Sequence, residues 1–432
     1  MKTLIKNGRV IDPANSIDKV SDILVSDGKI IEVSENISSD VDETIEAKGY
    51  WVVPGLIDLH VHLRDPGFER KETIKTGSRS AAMGGFTTIC CMPNTNPVID
   101  NEIIVEYVNM KAQRDGVVNI LPIGSITKGQ KGEELADIGK TAGVGICAIS
   151  EDGRSVENAG LMKTALKYAG MFNLPVFSHC EDLNLVAKGQ MNAGDKAALL
   201  GLKGISNDSE EVIVSRDIIL ADSVNAKLHL CHMSTKGCVE LIRQAKERGI
   251  KVTAEVTPHH FTLSEDDIND YDANYKMNPP LRTKADVEAL KQALKDNIIE
   301  VISTDHAPHH VDEKNCEFEK AANGIIGLET SLCLGITELV ETGVLTPSQL
   351  IEKMSYNPAK VLNSDKGTLS VGKDADITII DPNCEYAIDI EKFESKARNT
   401  PFNGRKVKGK VLYTIVGGKT IVENGILREE FR

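Results

Sequence analysis

The middle of the chain alternates short apolar runs with longer charged stretches of helical pattern, and this alternation constrains the fold more than any other feature. Repeated strand–helix units of this kind build a parallel sheet covered by helices. Eight apolar runs are present, at residues 54–58, 86–91, 118–123, 144–149, 174–177, 227–231, 251–256 and 300–303. Because eight is the number of strands in a TIM (β/α)8 barrel, we predict an α/β barrel, with a doubly wound open sheet as the alternative.

The two ends of the chain have a different pattern from the middle. Residues 1–53 and 365–432 contain short β-type runs separated by turn signals such as Asn7–Gly8 and Asp27–Gly28. A chain of 432 residues is also too long for one ordinary compact domain. We therefore predict that both ends combine in a small β-sandwich domain, and that residues 54–364 form a catalytic barrel domain.

Composition narrows the class of protein and its partners. No apolar run approaches the ~18 residues that a membrane span needs. The N-terminal residues lack the long apolar stretch that is typical of a secretory signal, so we expect none. Nine cysteines without a CxxC spacing fit reduced thiols better than a disulfide framework. The net charge of −14 argues against nucleic acid or an anionic membrane as the main partner. We expect a cytoplasmic protein that acts on a small molecule.

Polar side chains that could carry chemistry come directly after the apolar runs. The C-terminal ends of barrel strands converge on one face of the barrel, where the active sites of such proteins lie. Six of the runs are followed by residues of this kind, namely His60 and His62, Asn94, Glu151 and Asp152, His179, His232, and Asp305 and His306. Residues that are far apart in the chain would therefore meet in one pocket.

The spacing of His60 and His62 suits metal binding, because residues i and i+2 of a strand project to the same side. Imidazole nitrogens and carboxylate oxygens are good ligands for Zn²⁺ and related divalent ions. A carboxylate such as Asp152 can bridge two ions, and a bound ion lowers the pKa of water to ~7. The pattern predicts a metal centre that activates water.

Each of these residues also has a structural interpretation. An HxH pair alone is weak evidence for a metal site, and a single Asp or His after a strand can be a helix cap or a satisfied core group. We interpret His229 as structural, because strand parity points it away from the predicted ligand three residues later. His259 and His260 are interpreted as residues behind the ligands that do not bind metal. Cys180 and Cys231 are interpreted as apolar packing.

Two segments resemble the signatures of a known family. Residues 60–97, HVHLRDPGFERKETIKTGSRSAAMGGFTTICCMPNTNP, and residues 303–309, STDHAPH, resemble those of the dihydroorotases, in the cyclic amidohydrolase branch of the amidohydrolase superfamily. The resemblance covers almost the whole chain and is closest to the bacterial type I enzymes, which have Asp at the bridging position. It implies a barrel with a β-sandwich from both termini. The implied reaction is the reversible closure of N-carbamoyl-L-aspartate to dihydroorotate and water, in pyrimidine synthesis.

The resemblance also implies roles for individual residues. One or two zinc ions per subunit would be held by His60, His62 and Asp305 on one side and His179 and His232 on the other, with Asp152 as the bridge. The substrate would be bound by His62, Arg64, Asn94, Asn278, His309, Asn323 and Gly324. Asp305 would be the base that takes a proton from the nucleophile and returns it to the ring nitrogen. Many relatives have an aromatic residue where Asn323 stands, so a backbone contact is expected from this loop.

Two alternative functions stay open. A dihydropyrimidinase, hydantoinase or allantoinase would usually have a carboxylated lysine as the bridge and lack a carboxylate-binding arginine, so Asp152 and Arg64 argue against it. A non-catalytic scaffold subunit would have lost metal ligands that this chain keeps. Continued extended geometry beyond His62 would aim Arg64 into the pocket, whereas a surface arginine would pair with Asp65. The resemblance further implies a homodimer and an association with aspartate carbamoyltransferase.

Overall fold

The computed structural model describes residues 2–432, which form a mixed sheet and a parallel barrel. The strands are β1 (Lys2–Asp12), β2 (Ile17–Ser26), β3 (Lys29–Ser34), β4 (Glu43–Glu46), β5 (Trp51–Pro54), β6 (Leu56–Val61), β7 (Phe86–Cys91), β8 (Asn119–Ser125), β9 (Ala148–Ser150), β10 (Val176–Ser178), β11 (Met191–Asn192), β12 (Gly204–Ile205), β13 (Leu228–Leu230), β14 (Val252–Val256), β15 (Val301–Ile302), β16 (Ile377–Ala387), β17 (Lys406–Val416), β18 (Lys419–Glu423) and β19 (Ile426–Leu427).

The helices lie mainly between the barrel strands. They are α1 (Ile74–Met83), α2 (Glu102–Asp115), α3 (Ile138–Gly143), α4 (Ala159–Met171), α5 (Leu183–Val186), α6 (Asp195–Leu200), α7 (Asp208–Val224), α8 (Lys236–Glu247), α9 (Pro258–Thr262), α10 (Lys284–Lys295), α11 (Val311–Lys314), α12 (Ser331–Gly335), α13 (Pro347–Ile351) and α14 (Asn357–Val361). Helix α8 illustrates their construction. The Thr235 hydroxyl accepts the Cys238 N–H at its start, and Val239, Ile242 and Ala245 are buried on one face.

Eight parallel strands, β6 to β10 and β13 to β15, neighbour one another in chain order. The first and the last strand meet through a parallel bridge between Val61 and His306, and the His62 N–H donates to the His306 carbonyl at 2.9 Å. The ring of strands is therefore nearly closed, and the predicted TIM barrel is confirmed. Strand β7 coincides with the predicted run 86–91 and is buried along its whole length, as expected for a barrel strand covered by helices.

The mixed sheet joins the two ends of the chain. Strand β5 pairs in parallel with β1 and antiparallel with β16, so it connects the N-terminal strands to the C-terminal ones. The nine strands form one hydrogen-bonded sheet, which curves until Ile23 of β2 and Ile415 of β17 share one buried cluster. Where its two halves meet, a Cβ on Gly28 would lie 2.8 Å from the Gly417 carbonyl oxygen. The predicted β-sandwich from both termini is thus a single sheet whose two halves pack over a shared core.

The division of the chain into domains follows these two structures. We propose residues 54–364 as the barrel domain and the segments 1–53 and 365–432 as the other, with residue 1 outside the described part. Within residues 2–432, no helix combines the length and the apolar character that a membrane crossing requires. The nine cysteines are all free thiols.

Candidate active site

The C-terminal ends of the barrel strands surround a cavity of about 190 Å³. Its wall is formed by His62, Arg64, Asn94, Asp152, Gly153, His179, His232, Asn278, Asp305, Ala307, His309, Asn323 and Gly324. Among the predicted site residues, His60 alone is not part of this wall, and it is fully buried. The structure therefore brings the predicted residues together at one place.

Asp152, which follows β9, lies at the centre of four histidines. Its Oδ1 atom is 3.2 Å from Nε2 of His60, 3.5 Å from Nδ1 of His179 and 3.7 Å from Nε2 of His232. Its Oδ2 atom is 3.4 Å from Nε2 of His62. One carboxylate is thus within reach of four imidazole nitrogens from the ends of three strands, β6, β10 and β13, as a bridging ligand must be.

Asp305, which follows β15, completes the cluster. Its Oδ1 atom is 3.0 Å from Nε2 of His62 and 3.5 Å from Nε2 of His60. The His60 Nε2 and Asp152 Oδ1 atoms are buried, yet they make no hydrogen bond within residues 2–432. Unsatisfied buried polar atoms are costly, and a cation between them would satisfy both. The imidazole and carboxylate donors fit a divalent metal ion.

The electrostatics of the cluster also favour a cation. Burial alone would lower the pKa of His60, but the carboxylates of Asp152, Glu255 and Asp305 raise it well above its usual value. Burial would likewise raise the pKa of Asp152, but His60 and the neighbouring imidazoles hold it well below its usual value. Three carboxylates therefore remain ionised around one buried point, and their field attracts positive charge.

Glu255 in β14 orients His60 from below the cluster. Its Oε1 atom is 2.7 Å from Nδ1 of His60, and its Oε2 atom is 3.1 Å from Nε2 of His229. The Nδ1–H of His60 thus donates to Glu255, and this contact turns Nε2 towards Asp152. His229 lies behind the ligands, where its Nδ1 atom is 2.8 Å from the Thr253 hydroxyl. A buried carboxylate is therefore shared by two histidines, of which one faces the pocket.

Two further side chains orient imidazoles in the same way. The Oδ1 atom of Asn94 is 2.9 Å from Nδ1 of His62, whose Nε2 atom faces the cluster. The Oε2 atom of Glu181 is 3.2 Å from Nε2 of His179, and its Oε1 atom accepts from Asn278 at 3.0 Å. Glu181 thus connects a predicted metal ligand to a predicted substrate residue.

Arg64 provides a positive charge in the wall of the pocket. Its Nε–H donates to the Pro308 carbonyl at 3.2 Å, and its two terminal nitrogens donate to no residue among 2–432. Asp65 pairs instead with Lys111, at 2.6 Å. The expectation that extended backbone continues to Arg64 is wrong, because its φ is +61°, and the chain turns there. The guanidinium nevertheless reaches the pocket, where it is suited to a carboxylate.

His309 is a neutral imidazole, because burial and the nearby Arg64 charge lower its pKa to about 3. A neutral imidazole has a single N–H. In His309 this N–H is on Nε2 and donates to the Asn323 carbonyl at 2.8 Å. The proton donor that His309 could offer to a substrate is therefore already used within the protein.

The loop at Asn323 and Gly324 uses most of its backbone groups internally. The Gly324 N–H donates to the Lys276 carbonyl at 3.0 Å. The Gly324 carbonyl accepts from Lys314 at 2.9 Å and from Asn399 at 3.0 Å. Of the loop's peptide N–H and C=O groups, the Asn323 N–H is left without a partner among the described residues, so the expected backbone contact would come from it.

The sequence did not predict Glu181, Glu255 and Asn399, which contact predicted site residues. Glu255 has a detectable signal, because a carboxylate inside the apolar run 251–256 must be buried and paired. Asn399 has none, because it lies in the C-terminal segment assigned to the other domain. Only the folded chain brings Asn399 against the loops after β15.

Comparisons with known proteins give concordant results. Residues 49–238 match the dihydro-orotase-like family model. The chain is 53% identical over 424 residues to a dihydroorotase of Acetivibrio thermocellus, which covers 98% of this chain and 100% of that protein. It is 53% identical over 427 residues to a dihydroorotase of Ruminiclostridium cellulolyticum, with 99% and 100% covered. Among solved structures, L-hydantoinase (dihydropyrimidinase) from Arthrobacter aurescens is similar, with a TM-score of 0.90, 27% identity and 99% and 97% of the two chains covered.

Proposed function

The chain belongs to the dihydroorotase family, and from this premise we propose how its pocket carries out the family's reaction. The protein is a hydrolase of cyclic amides that acts in pyrimidine synthesis, and the reaction is the reversible closure of N-carbamoyl-L-aspartate to dihydroorotate and water. One observation carries the assignment of the pocket. The His/Asp cluster and the guanidinium of Arg64, which has no acidic partner among residues 2–432, line the same cavity of about 190 Å³. This supports a metal site and a carboxylate site in one pocket.

We propose that the cation is zinc and that two ions are bound. Their ligands would be His60, His62 and Asp305 for one, His179 and His232 for the other, and Asp152 for both. The short distances from Asp152 to all four histidines support its place between the ions. Bound zinc would supply a water of lowered pKa, ~7, and would polarise the carbonyl under attack.

The side chains of the pocket wall would bind and orient the substrate. Arg64, Asn94 and His309 would hold the carboxylate on the ring, and Asn278 would contact the ring itself. His309 can donate to a ligand only when its N–H leaves the Asn323 carbonyl, so substrate binding would exchange one hydrogen bond for another. This exchange would couple the Asn323 loop to the presence of substrate.

Asp305 would transfer the proton of the reaction. In ring opening, water attacks the ring carbonyl carbon, and the bond from that carbon to the ring nitrogen breaks. Asp305 would take the proton of the attacking water and deliver it to the departing nitrogen. Ring closure would run through the same positions in reverse. The place of Asp305 between the cluster and the cavity supports this role.

A hydantoinase-type activity is the second candidate, because the fold is so close to that of L-hydantoinase. Purified protein should be assayed with dihydroorotate, dihydrouracil and hydantoin, together with zinc quantitation. We expect dihydroorotate to be the preferred substrate and zinc to be present. A preference for the uncharged rings would overturn the substrate assignment, and no turnover of any ring would support a scaffold.

Three further proposals rest on the family. The chain would act in the cytoplasm, would form a homodimer and would associate with aspartate carbamoyltransferase. Light scattering after size-exclusion chromatography, with and without the carbamoyltransferase, would test the last two. A monomer that elutes alone in both experiments would contradict them.

A further inference from the structure

Lys314, the last residue of α11, is a buried lysine without an acidic partner. It is 8% exposed, and no carboxylate within residues 2–432 forms an ion pair with it. Its ammonium donates instead to three backbone carbonyls, those of Lys276 at 3.0 Å, Ala322 at 2.8 Å and Gly324 at 2.9 Å. A lysine ammonium has three N–H donors, so each donor has its own acceptor.

The three carbonyls belong to the two loops that carry predicted substrate residues. Lys276 stands two residues before Asn278, and Ala322 and Gly324 flank Asn323. The Gly324 N–H also donates to the Lys276 carbonyl, so the loops contact each other directly beside the ammonium. Asn278, Asn323 and Gly324 all line the cavity. The ammonium therefore fixes the distance between two parts of the pocket wall from behind.

Asn399 adds a third element to this contact. Its Nδ2 atom donates to the carbonyls of Gly324 and Ala307, both at 3.0 Å, and its Oδ1 atom accepts from the backbone N–H of His309 at 3.1 Å. The Gly324 carbonyl thus receives two donors. The loop is held against the segment that follows β15, and Lys314 is the charged member of the group.

The burial of the Lys314 ammonium destabilises the fold. Burial, with a smaller contribution from the nearby Lys276 charge, lowers the pKa of Lys314 to about 7. A charged group held away from water without an opposite charge destabilises a protein, even where hydrogen bonds to its donors reduce the cost. A structural role alone could be filled by an apolar side chain of similar length. The three carbonyls are the feature that requires an ammonium.

We propose that Lys314 is a positioning residue for substrate binding, whose ammonium holds the Asn278 and Asn323 loops at the separation that the substrate requires. The proposal rests on the proposed function of the pocket. Lys314 contacts none of the predicted metal ligands. Its loss should therefore weaken substrate binding and leave the metal content unchanged.

The first test compares Lys314→Met with a matched control, Lys353→Met. Lys353 is 2% exposed and donates to the Ile299 carbonyl at 3.1 Å and to Asn297 at 2.8 Å, at the opposite end of the barrel. For Lys314→Met we expect KM for dihydroorotate to rise at least about tenfold, since hydrogen bonds to a charge are lost. We expect kcat and zinc content to change little. Lys353→Met should lose stability but keep the wild-type KM.

A second test uses Lys314→Ala and does not depend on the folding of Lys314→Met. It measures whether an added ammonium ion restores KM. Lys314 lines an outer cavity of about 630 Å³, which should admit a small ammonium ion to the space that a shortened side chain leaves. In Lys314→Ala, propylammonium should restore much of the wild-type KM, whereas tetramethylammonium, which has the charge but no N–H, should not. Equal KM values for the two methionine variants would overturn the proposal. Equal effects of the two ammonium ions on the KM of Lys314→Ala would do so too. Wild-type turnover of dihydroorotate tests the proposed function separately.

Discussion

The Oε1 atom of Glu255 lies 2.7 Å from Nδ1 of His60, and both side chains are fully buried. This contact decides which ring nitrogen of His60 faces the cluster. A carboxylate behind a ligating imidazole also makes that imidazole a stronger donor, because it stabilises the positive charge that the ring acquires. Glu255 would thus act on the proposed metal centre without touching the cavity.

Replacement of Glu255 by Gln should weaken zinc binding, because the amide cannot supply the negative charge behind His60. We expect the zinc affinity to fall by roughly 10- to 100-fold, measured by competition with a chromophoric chelator. Glu300→Gln is the control, since Glu300 pairs with Lys246 away from the cluster. Equal zinc affinities for Glu255→Gln and wild type would refute the role of Glu255.

Replacement of both His60 and His62 by Ala should abolish zinc retention and turnover. The variant loses two proposed ligands at once, one in strand β6 and one directly after it. Zinc can be quantified by atomic emission after dialysis, beside the rate of dihydroorotate hydrolysis. His310→Ala, at a histidine that lies outside the cavity wall, should keep both. Full zinc content in the double variant would end the proposal of a metal centre here.

Replacement of Asp305 by Asn keeps the shape of the side chain but removes its basic carboxylate. We expect kcat to fall by at least ~10²-fold, the lower range for a general acid–base group. The rate should be expressed per bound zinc, so that a change in metal content is not counted as a change in proton transfer. A rate within a few-fold of wild type at neutral pH would exclude the proton-transfer role.

Replacement of Arg64 by Met should separate substrates that carry a ring carboxylate from those that do not. Charge-assisted hydrogen bonds worth roughly 1.5–3 kcal/mol are lost, so kcat/KM for dihydroorotate should fall at least about tenfold. Hydrolysis of dihydrouracil or hydantoin should change far less. The ratio of the two efficiencies is the measurement, and equal losses on both kinds of ring would assign Arg64 a supporting role only.

Glu329 should make the stability of the protein depend on pH. Burial raises its pKa to about 8, against the opposing effect of the Ser80 hydroxyl and the Glu394 and Ser395 N–H groups. The folded state then holds a proton that the unfolded chain releases near its ordinary pKa of 4.5. Stability from this group is therefore present below about pH 4.5 and is lost as the pH rises through about 8.

The comparison of wild type with Glu329→Gln isolates this contribution. The variant should gain free energy of unfolding relative to wild type as the pH rises from 5 to 9, by an amount on the order of a few kcal/mol. Urea unfolding at several pH values gives the difference. A pH-independent difference would contradict the shifted pKa of Glu329.

The barrel was predictable because its signal is local. Each strand is a short apolar run, and the residue that follows a run lies at the C-terminal face of the barrel, where the pocket is. The parity of His60 and His62 is likewise a local property of a strand. These residues could be placed in one pocket from the sequence because strand order in a barrel follows the chain.

The remaining features depend on contacts between distant parts of the chain. The turn at Arg64, the pairing of Asp65 with Lys111 and the sharing of Glu255 by two histidines are set by neighbours that no local pattern identifies. The curved nine-stranded sheet brings Gly28 close to Gly417, which lies near the other end of the chain. Such features need the register of both partners, which a single sequence does not supply.

The sheet shared by both termini constrains the order in which a nascent chain can become active. Strand β5 leads directly into the first barrel strand, but its partner β16 is translated only after the whole barrel. Asn399, which fixes the loops of Gly324 and His309, is translated later still. A chain that emerges from the ribosome therefore carries all the proposed metal ligands well before its pocket can be completed. Catalytic competence is acquired at the end of synthesis, when the last strands close over the first.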